Sequence, residues 1–170
     1  MRIRRWTSTN ARKHGAEMNV IAYCTEEVER QGHDTTTLSG ISRVGFMIDA
    51  WSYAIRHSVD RLPKVVDVHR IGIAIEPARN FKDGFRGVPV FVGSRKCPAH
   101  KDVPKLLDGL FSTLNQSTEP FGFYRQLLEI HPFVDGNRRT GKVILNWLNG
   151  TLLDPIFPSA AFWGKPIKYP

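Results

Sequence analysis

The chain has 170 residues, of which 41% are hydrophobic and 24% charged, and its formal net charge is +8. This length suits one domain with a substantial core, and the composition is that of an ordinary soluble globular protein. No stretch approaches the length of a membrane span, and no apolar segment follows the basic N terminus as in a secretory signal, so no membrane association is predicted. Cys24 and Cys97 lack metal-binding spacing, which indicates reduced thiols and a cytoplasmic setting.

The N-terminal end is strongly basic. Residues 1–15 carry five Lys or Arg side chains and no acidic one. We predict a basic arm there, which is either solvated or in contact with nucleic acid or an acidic partner.

Three helical segments are predicted after the arm. Residues 16–31 form the first, which Gly32 ends. Residues 41–57 repeat apolar side chains at steps of three and four, a spacing typical of a buried helix face. Residues 64–75 form the third, and we interpret its His69 as structural rather than catalytic.

Strand character is confined to residues 88–92, and the short run 96–99 is the available partner. This pattern predicts a two-stranded hairpin. Its exposed edge could pair with an extended segment of a target protein, or the hairpin could be a purely structural flap.

The most informative segment is HPFVDGNRRTGK, from His131 to Lys142. Apolar residues at helical spacing precede and follow it, so we expect a tight connection between two buried helices, with Asn137 as the N-cap of the second. Arg138, Arg139 and Lys142 then fall in the opening turns of that helix. Cations at a helix N terminus are unfavourable by about 0.3–1 kcal/mol each unless an anion compensates them, which favours a phosphate ligand.

Two further residues of this segment suit phosphate chemistry. Asp135 is a hard oxygen ligand of the kind that Mg²⁺ uses together with phosphate oxygens. His131 could accept a proton from an attacking hydroxyl, since an unperturbed histidine titrates near neutral pH. Each residue type also has an ordinary explanation, because Asp-Gly-Asn is a common turn and helical cations usually form a solvated face.

A Walker A loop is a second interpretation of the same letters. Gly136, Gly141 and Lys142 have its spacing, but Val143 stands where a Ser or Thr hydroxyl should bind Mg²⁺. A P-loop should also follow a buried strand of a parallel sheet, and only 28 residues follow Lys142. The sequence therefore disfavours this reading.

HPFVDGNRRTGK resembles the signature of the Fic-domain family, H-x-F-x-(D/E)-G-N-G-R-x-x-R. The matching positions are His131, Phe133, Asp135, Gly136, Asn137 and Arg139. Arg138 replaces the second glycine, and Lys142 replaces the final arginine. GFRGVPVFVG resembles the family's flap and VPKLLDGLFSTL the helix after it, so the likeness covers about residues 65–150.

The resemblance implies a mainly α fold, a Fic-like helical bundle with a small β-hairpin flap at about residues 84–99. We assign residues 16–150 to this catalytic domain. Residues 151–170 contain four prolines and are predicted to form a tail packed on the same domain.

The resemblance also implies an activity. His131 would deprotonate a Ser, Thr or Tyr hydroxyl of a target protein docked on the flap at residues 88–92. That hydroxyl would attack the α-phosphate of ATP or another nucleotide, so the implied enzyme is a protein adenylyltransferase, an AMPylase. Asp135 would hold Mg²⁺, and the nucleotide would be bound by Gly136, Asn137, Arg138, Arg139 and Lys142.

Arg138 leaves alternatives open. In the Doc-type branch a lysine resembles the replacement at this position, and those proteins phosphorylate their targets. Arg138 could instead have ended catalysis, leaving a basic binding module for nucleic acid or a protein partner. The closest match to the family's inhibitory segment, S/T-x-x-x-E-(G/N), is Thr25 to Glu29, but Arg30 follows it. Control by a separate inhibitory protein, or no such control, is equally consistent with the sequence.

Overall fold

The structure, a computed structural model, describes residues 10–158, and side-chain surroundings for residues 19–158. Residues 1–9 of the predicted arm and residues 159–170 of the predicted tail lie outside this part of the chain. The first helix, α1, spans Asn10–Arg30, so residues 10–15, which we assigned to the arm, are helical. Among the described helices, none is both long and apolar enough to cross a bilayer.

Six α-helices and one hairpin dominate the described residues. After α1, the helices are α2 (Leu38–His57), α3 (Val65–Ile75), α4 (Val103–Ser112), α5 (Pro120–Ile130) and α6 (Asn137–Asn149). The antiparallel hairpin, β1 (Phe91–Val92) with β2 (Arg95–Lys96), and a 3-10 turn (His100–Asp102) lie between α3 and α4. The predicted mainly α fold with a small β-hairpin is confirmed.

Side-chain caps account for two helix starts that the apolar pattern places too late. Thr37 precedes α2 and its hydroxyl accepts a hydrogen bond from the Gly40 amide at 3.1 Å. Glu119 precedes α5 and its carboxylate accepts from two amides of the first turn. Such caps satisfy amides that lack an intrahelical partner, so each helix extends back to its cap.

The core is built around α6, which packs against α2, α3 and α5. Its apolar face is enclosed, including Val143, Ile144 and Trp147, as the helical spacing predicts. Trp51 of α2 is fully buried, and its indole N–H donates to the Leu152 carbonyl at 2.7 Å. The helix that follows the HPFVDGNRRTGK segment is therefore held on three sides, and its N terminus has a fixed position.

A close contact between α3 and the His131–Lys142 segment fixes the position of the loop between α5 and α6. Phe133 is 1% exposed, and its ring lies directly over Gly72 of α3. A Cβ at Gly72 would lie 2.1 Å from Phe133 Cζ, so only glycine leaves room for the ring. Phe133 is thus a core anchor, and it holds the loop between α5 and α6 against α3.

The hairpin is shorter than predicted and its second strand starts one residue earlier. Phe91 pairs with Lys96 and Val92 with Arg95, while the Cys97 amide donates to the Val90 carbonyl at 3.1 Å. Pro89 has no amide hydrogen to extend the ladder. Gly93 adopts φ 58°, which makes the turn between the strands tight.

Candidate active site

The loop from α5 to α6 begins with an uncommon backbone conformation at His131. Its φ and ψ are 55° and 62°, in the left-handed region that non-glycine residues seldom adopt. The His131 amide still donates to the Leu127 carbonyl at 3.2 Å, so α5 ends in this turn. The ring then lines a large cleft of about 1870 Å³ between the hairpin, α4 and α5. The structure therefore places the predicted base beside the predicted flap.

The start of α6 differs from the prediction in one respect. The N-cap is Gly136, in the left-handed region with φ 75°, and not Asn137. A Cβ at Gly136 would lie 2.8 Å from Ile75 Cγ2, so a side chain does not fit there. Asn137 is instead buried and bridges Phe133, whose amide donates to Asn137 Oδ1 at 2.9 Å and whose carbonyl accepts from Nδ2 at 3.0 Å.

Asn137 does not cap α6, because its side-chain amide forms hydrogen bonds within the loop instead. It satisfies the donor and the acceptor of one buried peptide, and so closes residues 133–137 into a rigid turn. The first turn of α6 receives no side-chain cap from Gly136. Its amides therefore retain the partial positive charge that makes a helix N terminus attract an anion.

Arg139 is the most unusual cation of the segment, because it is 1% exposed. Its Nη2 donates to Glu76 Oε1 at 2.5 Å and lies 3.9 Å from Asp135 Oδ1. Its Nε and Nη1 have no protein partner. A buried donor without a partner costs about 1–3 kcal/mol, so these two groups favour a bound acceptor such as a phosphate oxygen.

Lys142 contacts a different helix. Its ammonium forms an ion pair with Glu27 of α1, which is buried and also accepts from Gln31 at 2.6 Å. Burial lowers the pKa of Lys142, and Glu27 opposes that effect. Arg139 therefore pairs with Glu76, directly after α3, whereas Lys142 pairs with Glu27 of α1.

Arg138 lies between two cavities. It lines the large cleft with His131, and it also lines a smaller cavity of about 300 Å³ with Lys142. The variant position thus adds a cation between the two cavities, where the family signature has a glycine.

Asp135 is partly exposed and well oriented. Its Oδ1 accepts from the Gly136 amide at 2.6 Å, and its Oδ2 accepts from Arg79 at 3.0 Å. Asn80 fixes the backbone, since it bonds the Asp135 amide at 3.2 Å and the carbonyl at 3.1 Å. The carboxylate is therefore held at the entrance to α6 through both its backbone and its side chain.

This donor set fits Mg²⁺ only when phosphate is present. Among residues 19–158 no cluster of three or more His, Cys, Asp or Glu side chains could hold a metal ion. Mg²⁺ that bridges phosphates needs only one or two protein carboxylates, with water and phosphate oxygens completing its shell. Asp135 suits that role, because its partner Arg79 is 61% exposed and can leave Oδ2 at little cost.

The surroundings of His131 favour the neutral ring. Burial lowers the pKa of His131, and the nearby cations Arg86 and Arg95 lower it further, while Asp135 opposes them. Nδ1 lies 3.4 Å from the Leu128 carbonyl, which is consistent with a proton on Nδ1. In that tautomer Nε2 carries the lone pair and can accept a proton.

Four polar residues of the site were missed by sequence reasoning. They are Glu27, Glu76, Asn80 and Arg86, each buried and bonded to the loop or to α6. Nothing in their local pattern marks them, since a single polar residue in a helix or an irregular segment is usually exposed. Glu29, the glutamate of the inhibitory-like segment, accepts a hydrogen bond from the Thr35 hydroxyl at 2.6 Å.

Comparison with known proteins gives the family. A profile of the Fic/DOC family matches residues 61–149, which is more than half of the sequence. The chain belongs to the Fic/DOC family, and the predicted resemblance is confirmed. The match contains the hairpin, α4, α5 and the whole His131–Lys142 segment.

Two solved structures share the fold. A Fic family protein from Desulfovibrio desulfuricans G20 superposes with a TM-score of 0.62 and 18% identity, covering 85% of this chain and 52% of that one. Fic-1 from C. elegans superposes with a TM-score of 0.60 and 16% identity, covering 89% of this chain and 54% of that one.

One curated relative is named as a different kind of protein from these two Fic structures. The ribonucleoside-diphosphate reductase small chain of Ostreid herpesvirus 1 (isolate France) is 30% identical over 132 residues, which cover 63% of this chain and 23% of that protein. The chain thus spans about half of the solved relatives and less than a quarter of this curated one.

Proposed function

We propose that this chain is a protein adenylyltransferase that transfers AMP from ATP to a hydroxyl group of a target protein. The observation that carries the proposal is that His131 lines the cleft in the same loop that leads into the N terminus of α6, where cations and free amides could bind an anion. Buried Arg139 donors without a protein partner, an uncapped helix N terminus and Arg138 contribute to that anion site. Membership of the Fic/DOC family supports nucleotide use.

The chemistry follows from these positions. A target hydroxyl in the cleft donates its proton to Nε2 of His131 as its oxygen attacks the α-phosphorus of ATP. The new bond joins the hydroxyl oxygen to that phosphorus, and the bond that breaks releases pyrophosphate. Arg139 and the α6 amides would stabilise the charge that develops on the phosphate oxygens. Mg²⁺ held by Asp135 would neutralise the remaining phosphate charge.

The large cleft also suits the target. It lies between the hairpin, α4 and α5, and its walls include Arg95, Lys96 and Leu106. Phe91 on β1 is exposed, so the strand has a free apolar side chain beside the cleft. We propose that an extended target segment pairs with this hairpin and brings its hydroxyl to His131.

The test uses purified chain, Mg²⁺ and ATP labelled on the α-phosphate, with a protein extract as the pool of targets. We expect labelled protein bands with the wild type and none with His131→Ala. A surface variant, Arg56→Gln, serves as the matched control, since Arg56 is exposed on α2 away from the loop. Equal labelling by wild type and His131→Ala would refute the assignment of the base.

Phosphate transfer is the second candidate, because Arg138 lines the smaller cavity beside Lys142 as well as the cleft. A nucleotide with its terminal phosphate, not its α-phosphate, beside His131 would then make the chain a kinase. ATP labelled on the γ-phosphate separates the two. Label from the γ-position alone would favour the kinase, whereas no labelling from either position, with intact nucleotide binding, would favour a binding module.

A further inference from the structure

A buried arginine lies between the hairpin and the base, outside the matched signature. Arg86 is 2% exposed, in the irregular segment that leads into β1. Its guanidinium donates to the carbonyls of Val88 at 3.1 Å and Pro98 at 2.6 Å. These two residues lie before β1 and after β2, so one side chain ties together both stems of the hairpin.

The same guanidinium also contacts the end of α5. Its Nε donates to the His131 carbonyl at 2.7 Å, and Nη2 lies 3.5 Å from the Ile130 carbonyl. The Arg86 backbone amide adds a bond to the Pro132 carbonyl at 2.9 Å. Three consecutive residues around the base are therefore bonded to a single residue of the flap segment.

Arg86 is not there to neutralise a carboxylate. Among residues 19–158 its hydrogen bonds all end on backbone carbonyls, and it forms no ion pair. Burial lowers the pKa of Arg86, which reflects the cost of placing a cation where no opposite charge compensates it. A neutral side chain would avoid that cost, but only arginine offers several donors in a rigid planar fork.

His131, the residue whose carbonyl Arg86 binds, needs contacts from neighbouring residues to keep its backbone conformation. His131 adopts the left-handed conformation, which is unfavourable for a non-glycine residue and persists only where neighbouring contacts enforce it. The bond from Arg86 Nε to the His131 carbonyl orients the peptide that follows this strained residue. Without it, α5 could end differently and the imidazole would leave the cleft.

We propose that Arg86 is a positioning residue that joins the flap and the base into one unit, holding the His131 peptide so that the imidazole faces a target aligned by the hairpin. This inference rests on the proposed function for its kinetic consequence, but its structural content does not. The hairpin that aligns the target and the base that deprotonates it would then move together. Arg86 would act through backbone carbonyls, without touching the nucleotide or the target.

The matched variants are Arg86→Lys, which keeps the charge but loses the fork, and Arg86→Gln, which removes both. Arg56→Gln is the surface control. In a labelled-ATP assay, we expect Arg86→Lys to lower kcat by about a hundredfold, the scale expected for misplacing a reacting group by about 1 Å. The KM for ATP should change little, because the anion site at α6 is intact.

A readout independent of turnover is the titration of the His131 ring followed by NMR. Besides burial, the hydrogen bond to the Leu128 carbonyl and the charges of Arg86, Arg95 and Asp135 act on the pKa of this ring. We expect the pKa of His131 to rise in Arg86→Gln and to change less in Arg86→Lys. Arg95→Gln, which removes a neighbouring charge without touching the clamp, should raise the pKa while leaving hydrogen exchange in residues 88–98 unchanged.

Hydrogen exchange tests the clamp even if a variant fails to fold. In the wild type, the Arg86 Nε–H should exchange with solvent at least tenfold more slowly than that of Arg56, since it is buried and bonded. In folded Arg86→Lys, amides of residues 88–98 and 130–132 should exchange faster together. Fast exchange at wild-type Arg86 Nε–H, or a folded Arg86→Lys with wild-type exchange, His131 titration and kcat, would overturn the proposal.

The two proposals fail separately. If the wild type transfers no label, the proposed function fails, while exchange and titration still decide whether Arg86 couples flap and base. If the wild type is active and a folded Arg86→Lys keeps wild-type kcat, exchange and His131 titration, the clamp is refuted and the transferase stands.

Discussion

The contact between Gly72 and Phe133 gives a prediction whose size follows from the structure. Gly72→Ala places a Cβ 2.1 Å from Phe133 Cζ and 2.4 Å from Cε2, distances that real atoms do not tolerate. The ring is 1% exposed and cannot swing into solvent, so either α3 or the loop must move. Overpacking of this kind costs about 1–3 kcal/mol, and we expect Gly72→Ala to lower the free energy of unfolding by about that amount.

Urea unfolding followed by circular dichroism measures the change, and a double-mutant cycle tests its cause. Phe133→Leu alone removes buried ring atoms and should cost about 1–3 kcal/mol. Combined with Gly72→Ala, the shorter side chain leaves room for the new methyl, so the double variant should be more stable than the sum of the single effects by about 1 kcal/mol or more.

Additive effects would refute the reasoning, because they would show that the two residues do not meet. The control is Gly109→Ala on α4, where an added Cβ meets no atom within 4 Å. We expect that substitution to be neutral or slightly stabilising, since alanine favours the helix more than glycine does.

Three further outcomes are expected. Glu76→Gln removes the buried carboxylate that pairs with Arg139 and Arg43, so urea unfolding should show a loss of about 3–5 kcal/mol; a loss below 1 kcal/mol would contradict the buried pair. Burial lowers the pKa of His131, so the native state favours the neutral ring. The contribution of this shift to stability is present above the ordinary pKa of 6.5 and is lost as the pH falls. We therefore expect kcat/KM to stay level down to about pH 6.5 and to fall below it. An acid limb that begins above pH 7 would count against the neutral base. Asp135→Asn should raise the Mg²⁺ concentration needed for half-maximal labelling at least tenfold without unfolding the chain, and an unchanged Mg²⁺ dependence would rule out Asp135 as the ligand.

Much of the fold was predictable because it depends on local pattern. The apolar spacing along α2, α3, α5 and α6 predicted helices whose ends differ from the observed ones mainly at capped N termini. The order of residues from His131 to Lys142 predicted the family. These inferences succeed since helix periodicity and a short contiguous motif are both encoded within a few turns of chain.

The site was less predictable, because its polar contacts join distant parts of the sequence. Arg139 bonds Glu76, Lys142 bonds Glu27, and the amide of Asn137 serves Phe133 instead of capping α6. Reasoning from the neighbouring sequence assigns each of these residues to solvent, to a ligand or to a helix cap. It contains no information about which distant carboxylate or peptide group the fold brings into contact with them.

The sequence by itself determined which chemistry is present: a histidine, a carboxylate and three cations in fixed order between two amphipathic helices. Only the tertiary structure decided how those groups are divided. It buries Arg139 with two donors left for a ligand, turns Lys142 toward α1, and places Arg86 between the hairpin and the base. The physical reason is that a buried charge must find a partner within a few ångströms, and the packing of helices far apart in the sequence selects that partner.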